Sequence, residues 1–122
     1  MNTQQGKVWG TTQELFACDN VEVHRIEVRA GGYCSSHYHA HKHNLFYVES
    51  GTLDITVTQH DGTADKTRLS EGEMCEVPPM LVHQFEAIRE TVALEIYYVE
   101  PLEISEDIVR RSAGGIRNTT PD

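Results

Sequence analysis

Residues 32–51 read Gly32-Tyr33-Cys34-Ser35-Ser36-His37-Tyr38-His39-Ala40-His41-Lys42-His43-Asn44-Leu45-Phe46-Tyr47-Val48-Glu49-Ser50-Gly51. Four of the chain's seven histidines lie within seven residues of this stretch. His37 and His39 are spaced as neighbours on one face of a strand, because side chains alternate across a strand with a period of two. Two imidazoles on one face can share one metal ion. Beyond them, Asn44, Phe46 and Val48 share parity in a second strand, Leu45 to Glu49. That parity predicts an interior face with one polar group and two apolar ones.

Outward from this stretch the chain reads as short alternating runs. Val21 to Val28 is a predicted strand whose apolar parity slips, and a bulge near His24-Arg25 accounts for the slip. Gly31-Gly32 marks a turn, and Tyr33 to His39 reads as the next strand. Leu53-Ile55-Val57 alternates strictly, and His60-Asp61-Gly62 signals a hairpin into Thr67 to Leu69. Met74 to Val77 stops at Pro78-Pro79, and His83 to Ala87 and Val92 to Val99 follow. Strands at this spacing predict an all-β sandwich or barrel, here a small jelly roll with an interior site. A single short helix is expected at about 105–113. Ser105 is its N-cap, Ile104 and Val109 form a staple, and Gly114 stands just past its end.

The 122 residues amount to one domain, 1–122. The net charge is −9, from 10 basic and 19 acidic residues, which argues against a nucleic-acid partner. No run approaches the ~18 apolar residues of a membrane span. The opening MNTQQGKVWG has no apolar signal core, so a cytoplasmic chain is expected. Cys18, Cys34 and Cys75 lack CxxC spacing and read as free thiols. A domain with several edge strands is expected to pair as a homodimer, with residues 1–12 as the docking or exchange element.

His83 begins a later strand, on a face with Phe85 and Ala87. If that face points inward, His83 completes a three-imidazole set with His37 and His39. Neutral imidazoles suit Fe, Zn, Ni, Mn or Cu, so the donors imply one divalent transition metal without choosing it. Phe46, Val48 and Phe85 would line an apolar pocket around it, which suits a small organic ligand. Cys34 and Cys75 read as buried cysteines. Lys42, Lys66, Arg68 and Arg89 are the cations considered for an anionic substrate, but no basic pair can be located by spacing.

Two segments resemble the conserved motifs of the cupin superfamily. The first cupin motif is G-x5-H-x-H-x(3,4)-E-x6-G. Here Gly32, His37, His39 and Gly51 match, with four residues rather than five after Gly32 and Asn44 at the Glu position. The second is G-x5-P-x-G-x2-H-x3-N. Gly72, Pro78 and His83 match, while Met80 replaces the internal Gly and Ala87 the final Asn. The motifs span 32–51 and 72–87. Lys7 to Gly10, Val21 to Gly32 and Phe46 to Thr52 are further similar to the small cupin domain of type II mannose-6-phosphate isomerases.

The resemblance implies a cupin jelly-roll barrel and a metal on His37, His39 and His83, with Asn44 as a candidate fourth ligand. His41 is the candidate acid/base, since isomerase-like cupins often carry histidine there. The missing Glu removes a general base. Three readings of function follow: a metal-dependent enzyme of isomerase or epimerase type on a small polar or sugar-like substrate, a three-His non-haem iron dioxygenase, or a non-catalytic ligand-binding or sensor module.

Overall fold

The computed structural model describes residues 4–99 and 111–117. β1 (Gln4–Lys7), β2 (Gly10–Cys18) and β3 (Val21–Val28) form consecutive hairpins. β4 (His43–Ser50), β5 (Leu53–Thr58), β6 (Ala64–Leu69), β7 (Met74–Val77), β8 (Val82–Ala87) and β9 (Thr91–Tyr98) complete the described elements. They make two sheets, a six-stranded one ordered β1-β2-β3-β9-β4-β7 and a three-stranded one ordered β6-β5-β8. All strand pairs are antiparallel. This is the expected all-β architecture. No helix occurs among the described residues. The expected helix at 105–113 lies outside them up to residue 110, and residues 111–113 are not helical.

The two sheets face each other across one apolar core. From the larger sheet come Ile26, Val28, Phe46, Val48 and Ala93, and from the smaller Leu53, Ile55, Leu69, Phe85 and Ala87. All are at most 3% exposed. The register stacks Leu53 on Ala87 and Ile55 on Phe85, and then Val57 on His83. The same strand faces thus run from apolar to polar along their length.

Two sequence expectations need correction, and two strands escape the sequence altogether. β1 and β2 carry little apolar alternation, and β1 is exposed throughout, so neither is legible in the sequence. The pairing of β1 on β2 and β2 on β3 holds them in place instead. Next, the bulge is on β2, not β3. β3 pairs regularly with β9 from Val21↔Tyr98 to Val28↔Thr91, while β2 skips Leu15 between Glu14↔His24 and Phe16↔Val23. The even residues of β3 all face inward, but Glu22 and His24 are polar there, and that mimics a slip in parity.

Finally, Tyr33 to His39 is an extended segment rather than a strand, and its ladder pairing with β8 is confined to the isolated bridges Tyr33↔Glu86 and His37↔His83. Between the bridges, side chains intrude on the ladder. Gln84 Nε2 donates to the Cys34 carbonyl at 2.7 Å, and the Phe85 amide also reaches Cys34 Sγ at 3.2 Å.

Candidate metal centre

The extended segment brings His37 and His39 against β8, where His83 stands 2% exposed. His37 N donates to the His83 carbonyl at 3.1 Å, and His83 N returns a bond to the His37 carbonyl at 2.8 Å. These two backbone bonds fix the first histidine against the third. Met80 N donates to the His39 carbonyl at 2.8 Å and ties down the second. Met80 occupies the glycine position of the second motif and has φ +71°, a left-handed conformation that glycine takes more easily. The tight turn before His83 has kept its geometry without its usual residue.

One ring nitrogen from each of His37, His39 and His83 lies within 4.8 Å of the others. The ring centroids are 4.7–5.3 Å apart. His37 Nδ1 donates to the Ser35 carbonyl at 2.8 Å and His83 Nδ1 to the Leu81 carbonyl at 2.9 Å. Each bond leaves Nε2 with its lone pair free to bind, the arrangement that outer hydrogen bonds give metal-binding histidines. Burial, and then the neighbouring His37 and His83, push His39 down to about 4. Burial likewise lowers His83. Both are neutral donors at neutral pH.

A divalent metal fits this set. His39 Nε2 is buried without a hydrogen-bond partner, and so is Asn44 Oδ1. Buried polar atoms are seldom left unpaired, because the lost hydration is not recovered. A cation beside the three imidazoles would satisfy the first of them. Asn44 is fully buried, with Nδ2 3.4 Å from His83 Nε2 and 3.3 Å from Glu95 Oε2. Turning its amide over exchanges Oδ1 and Nδ2 and would present the oxygen to the histidine side.

The other expected residues fall as follows. Phe46 is 1% exposed and packs 6.3 Å from the His83 ring. Phe85 packs edge-on against Trp9 at 5.0 Å, and Val48 lies in the dry core. His41 is exposed in the bend before β4, outside the histidine group. Cys34 is buried, which pushes its thiol up to about 11, and burial raises Cys75 too. Lys42 is turned to Glu22 at 3.3 Å, and Arg68 is paired with Asp54.

Sequence reading missed Glu95 and Tyr97. Tyr97 OH donates to Glu95 Oε2 at 2.7 Å, and its ring packs 5.2 Å from His39. Burial raises the Glu95 carboxyl, against the pull of the Tyr97 and Asn44 hydrogen bonds. Burial and Glu95 together raise the Tyr97 hydroxyl. In β9 the even residues Leu94, Ile96 and Tyr98 are as apolar as a core face, so alternation points to the wrong side. The register Asn44↔Tyr97 and Phe46↔Glu95 identifies the right one.

An open cavity of about 830 Å³ reaches His37 and Tyr97, with Trp9, Tyr33, Cys34 and Gln84 among its walls. A second close group, Glu14, Glu22 and His24, is partly neutralised, since Glu22 takes hydrogen bonds from His24 and Lys42.

Fold and histidine cluster together define a small antiparallel barrel with a candidate metal centre at one end. The chain belongs to the cupin family, whose sequence profile matches residues 3–103. Among solved structures it is similar to a tryptophan-to-tyrosine variant of Bacillus subtilis oxalate decarboxylase, with a TM-score of 0.74 and 17% identity. That match covers 80% of this chain but 27% of the other, so this chain spans about a quarter of that protein's length. A further structure of the B. subtilis enzyme, described for its Mn(II) centres, matches at 16% identity and a TM-score of 0.74, covering 85% of this chain and 28% of that one. KdgF from Halomonas sp. matches at 16% identity and a TM-score of 0.70, covering 83% of this chain and 89% of that one. Identities this low establish a shared fold. Comparison with curated proteins finds no significant match.

Proposed function

We propose that the chain is a metal-dependent enzyme acting on a small polar substrate, with His37, His39 and His83 holding one divalent transition metal. The observation that carries this reading is the convergence of three imidazoles, two of them fixed by carbonyls so that Nε2 is the free donor. The bound metal would act as a Lewis acid on a carbonyl or hydroxyl of the substrate. Asn44 is the fourth candidate ligand. It carries no charge, so it would leave the cation more electrophilic than a glutamate would.

Isomerase or epimerase chemistry also needs a group that moves protons. Tyr97 reaches the cavity and Glu95 stands behind it, so a proton gained at Tyr97 Oη can be passed to the Glu95 carboxyl. This pair is preferred to His41 as the acid/base candidate, because His41 is exposed and lies outside the ligand group of the three histidines. The similarity of the flanking segments to type II mannose-6-phosphate isomerases supports the isomerase reading. The exposed β1 edge supports a homodimer.

A second reading, a non-haem iron dioxygenase, is favoured by one observation: among the described residues no carboxylate belongs to the ligand group of the three histidines. Metal analysis by mass spectrometry separates the two. It should use untagged protein purified without added metal, beside His39→Ala. Zinc, nickel or manganese near one per chain, lost in the variant, supports Lewis-acid chemistry. Iron at that level supports the dioxygenase and calls for oxygen-uptake assays. A chain that binds no metal even after reconstitution overturns both and leaves a ligand-binding module.

A further inference from the structure

The cavity beside the triad has a charge that the rest of the molecule does not lead one to expect. The chain carries 19 acidic residues against 10 basic ones, yet the lining of this cavity includes Lys7 and Arg29 and no aspartate or glutamate among the described residues. Neither cation has a salt bridge among the described residues. Both are exposed, so each can turn its charge to an arriving ligand.

The backbone that carries them is fixed. Lys7 ends β1, and Val8-Trp9 leads into β2. Arg29 N donates to the Trp9 carbonyl at 2.9 Å, and Gly32 N donates to the Arg29 carbonyl at 2.8 Å. A Cβ on Gly32 would stand 2.9 Å from both the Trp9 and the Arg29 carbonyl oxygens, so the two turns are closed on each other. Trp9 is locked against Phe85, and Tyr33 is 63% exposed at the same cavity. One end of the cavity is therefore basic and bordered by aromatic rings, and the other holds His37 and Tyr97.

From this distribution we infer that the substrate is an organic anion larger than a two-carbon diacid, whose carboxylate or phosphate is taken by Lys7 and Arg29 while its reacting end lies at the histidines. The size follows from the cavity, which at about 830 Å³ falls within the ~300–1,000 Å³ range of pockets for whole organic ligands. The charge follows from the lining, because a planar guanidinium and an ammonium are the groups that bind oxyanions. The basic pair that no spacing in the sequence revealed comes from two segments 22 residues apart that meet only in the fold. This inference rests on the cavity being the substrate site of the proposed metal centre.

Trp9 is the only tryptophan of the chain and borders the cavity, so its fluorescence reports occupancy without any catalytic assay. The titration uses metal-free and metal-loaded protein with adipate, gluconate and glucose 6-phosphate, and with the neutral adipamide and glucose. At least one anion should change Trp9 emission saturably in the metal-free protein, with weaker binding as salt rises. Its neutral counterpart should not. Arg29→Gln with Lys7→Gln should weaken that anion about five- to tenfold, while Lys66→Gln on remote β6 leaves it unchanged.

The arms also tell a carboxylate from a phosphate. No response to any anion, an equal response to the neutral compound, or wild-type affinity in the double variant overturns the inference. Melting temperatures check that the exposed substitutions leave the fold intact. A failure of the metal reading shows instead in metal content, which this titration does not depend on.

Discussion

The two ends of the barrel interior are built on the same strands and obey opposite rules. At one end β5, β8, β9 and β4 supply Leu53, Ala87, Ala93 and Val48, all at most 1% exposed. A few residues along, the same faces supply Val57, His83, Tyr97 and Asn44. The first end is dry and close-packed, and its side chains stabilise by burial. The second has a buried carboxyl, an unpaired imidazole nitrogen and an unpaired amide oxygen. Such groups lower stability unless something binds them. The dry end holds the sheets together so that the polar end can keep its donors in place.

Substitutions should separate the two ends, and the largest effect belongs to the dry one. Leu53→Ala should cost about 2–5 kcal/mol in urea unfolding. A loss below about 1 kcal/mol would mean that this end is not the packed support of the barrel.

Next in size is the charge on the outer side of the same strand. Asp54 is 3% exposed and takes hydrogen bonds from Arg68 Nε at 2.8 Å and Nη2 at 3.0 Å. The Arg68 hydrogen bonds hold its carboxyl below the usual range. A lowered folded-state pKa means that the unfolded chain binds more protons in acid, so this contribution is present above the unfolded value near 3.8 and is lost as pH falls through the lowered one. Asp54→Asn should cost about 1 kcal/mol at pH 7 and flatten the loss of stability in acid, read from urea midpoints across the acid range. An unchanged acid slope would assign that loss to other carboxyls.

Smaller again, and of opposite sign, is Met80→Gly. Met80 is 51% exposed at φ +71°, so glycine relieves strain while little packing is lost. A gain of about 0.5–1 kcal/mol is expected, net of the entropy glycine adds to the unfolded chain. A loss would mean that the Met80 side chain, not its backbone, matters at the site.

The smallest effect should come from the wet end itself. His39→Ala should change metal-free stability by less than about 1 kcal/mol, since His39 Nε2 has no partner to lose. Bound metal should stabilise the wild type and not the variant. A variant as destabilised as Leu53→Ala would erase the distinction between the two ends.

The sequence made legible whatever is written in local spacing. His37-x-His39, the Asp61-Gly62 turn and the strict alternation of β5 are all local, and all correspond to features of the fold. What it concealed depends on partners far along the chain. Glu95 and Tyr97 face inward because β9 pairs in one register with β3 and β4, and both faces of β9 are apolar enough to hide that. Lys7 and Arg29 share a cavity through backbone bonds that no pattern in either segment announces. β1 is a strand by virtue of β2, not of its own Gln-Gln-Gly-Lys.

The extra residue at Leu15 gives β2 two halves in opposite phase. Glu14 lies opposite the inward His24, and only two residues later Phe16 lies opposite the outward Val23. Removing Leu15 would join Glu14 to Phe16 in ordinary alternation and leave both halves facing as they do, whereas removing any other residue from the middle of β2 with the bulge kept would turn one half over. In this hairpin the tolerance for a lost residue is therefore concentrated at one position. Among functional variants, deletions in β2 should fall at Leu15 far more often than elsewhere in the strand.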